Sequence, residues 1–94
     1  MLYSRVGHSA CSLGDDGIVV TGSKVPDVTN TCEYFNANTS IWLELPKLQE
    51  ARYYHSSCSF NGSLVYVFCG SDPKSTNSYV SSIEMLEIGK ILDE

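Results

Sequence analysis

Two histidines each stand three residues ahead of a cysteine, His8 with Cys11 and His55 with Cys58. Imidazole nitrogen and thiolate sulfur at such short spacing are zinc-ligand chemistry. Each histidine is also followed directly by a serine, Ser9 and Ser56, which sets a base beside a hydroxyl nucleophile. Two glutamates, Glu33 and Glu84, recur in matching surroundings, and a carboxylate can act as general acid or base. The residues around both His–Cys pairs are small or apolar and extended in character, so successive side chains alternate between faces. Residues one or three apart then point to opposite sides, and neither pair converges on one ion or one substrate. A packed thiol and a hydrogen-bonded histidine are the expected roles, without a metal. For Glu33 and Glu84 a structural hydrogen bond to a neighbouring loop is expected in place of acid–base work. No Gly-rich phosphate loop, Cys-x-x-Cys or His-Glu-x-x-His occurs. The sequence supports no catalysis and implies no cofactor.

The chain that must position these residues has 94 positions, enough for one small domain or a piece of a larger one. Six Lys+Arg against eleven Asp+Glu give a net charge of −5, which argues against nucleic acid and anionic membrane surfaces as partners. Apolar residues at 43% and charged residues at 18% are globular values, far from the disordered class. The longest apolar run, residues 64–69, is too short to span a membrane. Met1-Leu2-Tyr3-Ser4-Arg5 runs on at once into Gly7 and polar residues, without the apolar core of a secretory leader. The expectation is therefore a cytoplasmic setting, with Cys11, Cys32, Cys58 and Cys69 reduced and buried.

The sequence is internally repeated. Arg5, His8 and Cys11 each recur 47 positions later, at Arg52, His55 and Cys58, within two nine-residue stretches of matching character. Gly22 answers Gly70 at an offset of 48, and Glu33 answers Glu84 at 51, so the second copy carries short insertions. Asp15-Asp16-Gly17 and Asn61-Gly62 supply the positive φ of hairpin turns, which opens each copy with a β-hairpin. Residues 64–69 read as a strand buried on both faces. Polar loops follow at 23–30 and 71–78, each with a proline that excludes a central strand. Residues 31–36 read as a third strand, 36–40 as a turn, and 41–45 as a fourth strand stopped by Pro46. Each complete copy is a four-stranded antiparallel meander. Val80, Ile83, Leu86 and Ile91 also fit one face of a helix, but Gly89 interrupts it and the match to the first copy favours a strand.

These features resemble the Kelch repeat, over residues 5–92. The likeness rests on Arg-x-x-His-Ser twice, an apolar strand ending in glycine twice, and Glu followed two residues later by Phe35 or Leu86. Its most specific part is Phe35-Asn36-Ala37-Asn38-Thr39-Ser40-Ile41-Trp42 with Leu45-Pro46, similar to the family's Tyr-Asp-Pro-x-Thr-x-x-Trp spacing. The residues carried over as structural motif are His8, Gly22, Glu33, Phe35, Trp42, His55, Gly70 and Glu84. The family's double glycine reads here as Gly22-Ser23 and Gly70-Ser71, and a serine held in a left-handed conformation would cost about 1–2 kcal/mol. Asp93 stands where the second tryptophan is expected.

The resemblance implies an all-β fold of two four-stranded blades of a β-propeller, at residues 5–51 and 52–94, the second lacking or degenerate in its fourth strand. Propellers close with about four to eight blades, so the blades would meet the rest of a longer ring or other copies of the chain. Trp42 is then expected in the core between neighbouring blades. Antiparallel order places Arg5, Arg52, Tyr53 and Tyr54 on one rim with loops 23–30 and 71–79. Lys24, Asp27, Arg52, Tyr53, Asp72, Lys74 and Tyr79 are the expected contacts to a partner protein. The resemblance implies a non-catalytic interaction module, as in scaffolds, cytoskeletal binders or substrate-recruiting subunits of ubiquitin ligases. The enzyme alternative is part of a galactose-oxidase-like propeller, whose copper needs convergent His and Tyr ligands that this sequence does not display.

Overall fold

The computed structural model describes residues 1–74 and 78–88. Strands β1 (Ser9–Leu13), β2 (Gly17–Thr21), β3 (Cys32–Asn36) and β4 (Ile41–Leu45) form one antiparallel sheet in chain order. Strands β5 (Ser56–Phe60), β6 (Leu64–Phe68) and β7 (Ile83–Glu87) form a second. The fold is all-β, two meanders of the kind that make propeller blades. The β5–β6 turn is made by Asn61 and Gly62, both left-handed, at φ 57° and 67°. At the β3–β4 turn the Asn36 carboxamide oxygen accepts from Asn38 N at 2.9 Å, and the Asn36 carbonyl from Ser40 N at 2.7 Å.

Strand alternation decides what meets what. Val19 pairs with Cys11 and with Tyr34, so these three lie on one face of the first sheet, with Leu13, Cys32 and Leu45 on the same parity. That face packs on Val65 and Val67 of the second sheet to form the core, completed by Leu48 and Ile88. Strands β1 and β5 are the closest approach, where the Ser9 and Ser57 hydroxyls lie 2.6 Å apart. Each fully buried valine there contributes about 1.5–3 kcal/mol.

Several expectations change. Strand β6 is enclosed on one face only: Val65 and Val67 are buried, whereas Leu64, Tyr66 and Phe68 are half-buried on a face with no second sheet against it among the described residues. All four cysteines are free, but only Cys32 is buried; Cys11 is half-buried, and Cys58 and Cys69 are exposed. Cys58 alternates onto the open face of β5, and Cys69 stands just beyond the end of β6. Burial pushes the Cys32 thiol up to about 12, so it stays protonated.

The glycine correspondence shifts by one. Strands β2 and β6 superpose in the repeat at the offset of 47 set by Arg5 and Arg52, which makes Cys69 the counterpart of Gly22, and Gly70 that of Ser23. Gly22 and Cys69 both adopt positive φ, 72° and 61°, while Ser23 and Ser71 do not, so the strain expected at those serines is absent. Ile83 and Leu86 lie in β7, the last strand among the described residues, in line with the strand reading, while Val80 is buried in the loop before it. Gly89, Ile91 and Asp93, with the fourth strand of the second copy, lie outside the described residues.

Candidate functional site

Each copy is closed by the same clasp. The Arg5 guanidinium donates to Glu33 Oε2 from Nε at 2.9 Å, with Nη2 at 2.8 Å from the same oxygen, and from Nη1 to the carbonyls of Gly22 and Thr31 at 2.9 and 3.0 Å. In the second copy Arg52 donates to Glu84 Oε2 at 2.8 Å, to the Ser82 carbonyl at 2.8 Å and hydroxyl at 2.9 Å, and to the Cys69 carbonyl at 3.3 Å. The carboxylates also take backbone N–H groups from the segment leading into their own copy. Glu33 accepts from Leu2, and Glu84 from Gln49 at 2.7 Å and Glu50 at 3.0 Å. Carboxylates committed in this way tie the lead-in segment to β3 or β7. Arg5 and Arg52 are both buried. Arg52 is therefore corrected from the rim to the interior: its guanidinium is enclosed and its donors point inward, which removes it from any partner-facing surface.

A second group of motif residues lies at the seam between the sheets. His55 Nε2 lies 2.7 Å from the Thr21 hydroxyl on β2. Its Nδ1 is buried without a hydrogen-bond partner among the described residues. Burial first, then the Arg52 and His8 charges, lowers the His55 pKa to about 4, so the ring is neutral at pH 7. Gly22 holds the seam close, and Gly70 lets His55 pack against it within the second copy. A Cβ on Gly22 would stand 2.4 Å from the Arg52 carbonyl and 2.5 Å from His55 Cε1; one on Gly70 would stand 2.7 Å from His55 Cβ. His8, the counterpart in the first copy, is exposed.

His55 faces Thr21 while Cys58 lies on the opposite face of β5. Among the described residues no three His, Cys, Asp or Glu side chains gather as metal ligands. Trp42 lies against Phe35, ring centroids 4.7 Å apart, on the face turned away from the second sheet, and it is half-buried. Trp42 thus takes no part in the contact between these two sheets. Phe35 is half-buried as well.

The loops do converge on one rim. Lys24 N donates to the Val6 carbonyl at 2.8 Å, and its ammonium sits 5.7 Å over the Tyr53 ring. Tyr53 pairs through its backbone with Ser71, which in turn bridges Tyr79. The Tyr53 and Tyr54 rings meet edge-on at 4.9 Å. Asp72 accepts the Lys74 backbone N–H at 2.8 Å. Beside it Gln49, Glu50, Ala51, Asp72, Lys74 and Val80 line a hollow of about 130 Å³, below the 300–1,000 Å³ of ordinary small-molecule pockets. Asp27 is exposed in its own turn, at φ 71°, away from this chain of contacts. Sequence reasoning missed Gln49 and Glu50, whose role lies in backbone groups that no residue type reveals. It also missed Thr21, which an aligned polar residue at the end of an otherwise apolar strand could have flagged.

Over 66 residues, 70% of this chain, the sequence is 36% identical to Kelch-like protein 21 of Danio rerio. The chain spans about a tenth of the length of that relative. No family model matches the chain. The likeness supports a Kelch-repeat relationship, in keeping with the two meanders and their duplicated clasp.

Proposed function

We propose that the chain is a non-catalytic protein-interaction module made of two Kelch-type blades, residues 5–51 and 52–94, with its loop rim turned to another protein. One observation carries this reading. The lead-in segments of both copies and the β2–β3 and β6–β7 loops come together around Tyr53, and exposed aromatic and charged side chains project there. Tyr79 is 82% exposed and Tyr54 67% exposed. Tyrosines on a rigid rim supply contact area at low entropic cost, and they are enriched where proteins meet. Lys24, Asp27, Tyr53, Asp72, Lys74 and Tyr79 are the proposed contacts, joined by Tyr54. The Kelch-like relative supports an interaction role over an enzymatic one. A cytoplasmic setting belongs to the same reading, as does a net charge of −5 that disfavours nucleic acid and anionic lipid.

The test is comparative capture. The 94-residue chain is immobilised beside a Lys24→Glu/Tyr79→Ala double variant and an Ile83→Asp control, whose substitution lies on a sheet face away from the rim. A set of proteins held by the wild type and the control but released by the double variant supports the reading. An unchanged set on the double variant, or none above bare resin, overturns it.

A further inference from the structure

An asparagine carboxamide can be attacked by the backbone nitrogen of the residue after it, and the described asparagines are unequally open to this. Thr31 N, after Asn30, donates to the Val28 carbonyl at 3.2 Å, and Ala37 N, after Asn36, to the Asp16 carbonyl at 2.7 Å. The Asn36 carboxamide is itself engaged, accepting from Asn38 N. The Asn38 carboxamide donates to Asp16 at 2.8 Å, and the branched Thr39 follows it. Asn61 has none of these restraints. It is exposed at the tip of the β5–β6 turn, and neither its carboxamide nor the Gly62 nitrogen makes a hydrogen bond among the described residues. Gly62 carries no side chain to hinder the approach. One long bond closes the turn, Ser63 N to the Phe60 carbonyl at 3.3 Å, and Asn61 holds a left-handed φ of 57° that only glycine adopts freely. The tip therefore opens at little cost while the β5–β6 ladder stays paired.

We propose that Asn61-Gly62 is a site of spontaneous covalent modification in the folded chain. The Gly62 nitrogen gives up its proton to solvent and bonds to Asn61 Cγ. The Cγ–Nδ2 bond breaks, Nδ2 takes a proton from water and leaves as ammonia, and a five-membered imide remains. Water then opens the imide at either carbonyl. Cleavage at Cγ leaves aspartate at position 61; cleavage at the backbone carbonyl leaves isoaspartate, with the chain routed through the former side chain. In sum one water is consumed and one ammonia released, with no change of oxidation state. Either product adds a negative charge at the end of the molecule that carries the exposed Asp15 and Asp16, because the two hairpin turns are neighbours: a Cβ on Gly62 would stand 3.9 Å from Gly14 Cα. Isoaspartate also lengthens the turn by one backbone carbon, which disrupts the pair of left-handed residues that sets Phe60 opposite Leu64. Strand β5 is the one that approaches β1, so the seam between the sheets loosens with it. The turn lies at the opposite end of the strands from the Tyr53 rim, and the modification stands or falls independently of the interaction reading.

The purified 94-residue chain is held at mildly alkaline pH, folded in buffer and unfolded in guanidinium chloride, and digested at intervals for peptide mapping by mass spectrometry. Circular dichroism checks that the first sample is folded at the start. In it Asn61 should convert to a mixture rich in isoaspartate, within about tenfold of its rate in the unfolded sample, because a loop tip opens readily. Asn30, Asn36 and Asn38 should stay intact over that time. Mildly acidic pH should slow the conversion, since the attacking nitrogen must shed its proton. Asn61→Gln, whose carboxamide stands one carbon further off, should resist it. The aged wild type should melt below the Asn61→Asp variant, which has the added charge without the lengthened turn. An Asn61 that stays intact in the folded chain while it is consumed in the unfolded one overturns the proposal. So does conversion of Asn30, Asn36 or Asn38 at a matching rate in the folded chain. An aged wild type that melts together with Asn61→Asp overturns the consequence drawn for the seam.

Discussion

The two copies share one strand plan and differ in what has become buried. Val19 is fully enclosed, whereas its counterpart Tyr66 is half-buried. Leu48 is 2% exposed and its counterpart Met1 53%. His55 is enclosed and His8 is open. In every pair the enclosed member lies at the seam between the sheets. The clasp behaves differently: Arg5 and Arg52 are buried in both copies, because each is covered by residues of its own repeat. Part of this structure therefore belongs to each repeat alone, and part is conferred only by an adjoining repeat.

Removing an arginine breaks the intrinsic part. Arg5→Ala and Arg52→Ala each leave a carboxylate enclosed without its counter-charge, which costs about 3–5 kcal/mol. Urea denaturation should show both losses, comparable in size, in an otherwise two-state transition. A near-neutral Arg5→Ala beside a damaging Arg52→Ala would mean that the clasp too depends on a neighbour.

The seam should separate the copies where the clasp does not. His55→Ala removes a packed ring and the contact to Thr21, a loss of roughly 2–3 kcal/mol, while His8→Ala should change stability by less than about 0.5 kcal/mol. The pH dependence has the same asymmetry. With the folded pKa of His55 lowered to about 4, against 6.5 in the unfolded chain, the unfolded state binds the proton that the folded state refuses. The contribution is complete above pH 6.5 and declines as pH falls toward 4. Titrated denaturation midpoints of His55→Ala should lose part of that decline, and those of His8→Ala should keep it.

The strands and most turns are legible because their signals are local; the exception is the β1–β2 turn, where the left-handed residue is Gly14, at φ 66°, and Gly17 of Asp15-Asp16-Gly17 instead opens β2. Asn61-Gly62, the turn residues at 36–40 and the stop at Pro46 act over a few residues. What escaped notice depends on distant partners. Arg52 reads as a surface cation beside two tyrosines, and the Cys69 carbonyl, Ser82 and Glu84, 17, 30 and 32 positions on, draw it inward. The consecutive apolar residues of β6 look the same whether one face is covered or two. Gly70 was aligned with Gly22 because glycine is the visible token of a left-handed residue. Cys69 occupies that conformation without advertising it.

Trp42 sharpens the contrast between a face that has a neighbour and one that has not. A tryptophan enclosed between sheets would cost about 3–5 kcal/mol on truncation. Half-buried and resting on Phe35, Trp42→Ala should cost about 2 kcal/mol in the isolated chain. Urea denaturation of the variant beside the wild type reads the loss. A full-sized loss would mean the face is already covered.

The smallest expected effect has the opposite sign. Cys69 holds φ at 61° so that its carbonyl can accept from Arg52, as the Gly22 carbonyl accepts from Arg5. A left-handed conformation costs a residue with a Cβ about 1–2 kcal/mol, and glycine avoids that cost while giving the unfolded chain somewhat more freedom. The Cys69 side chain is exposed, so its removal empties no core. Cys69→Gly should therefore stabilise the chain by about 1 kcal/mol, a rise in melting temperature of roughly 4–8 °C for a domain this small. At Gly22 the reverse exchange, Gly22→Cys, brings a Cβ to 2.4 Å from the Arg52 carbonyl and should destabilise strongly. If Cys69→Gly instead lowers the melting temperature, the carbonyl of residue 69 is not held as the Gly22 carbonyl is, and the equivalence of the two clasps fails at that point.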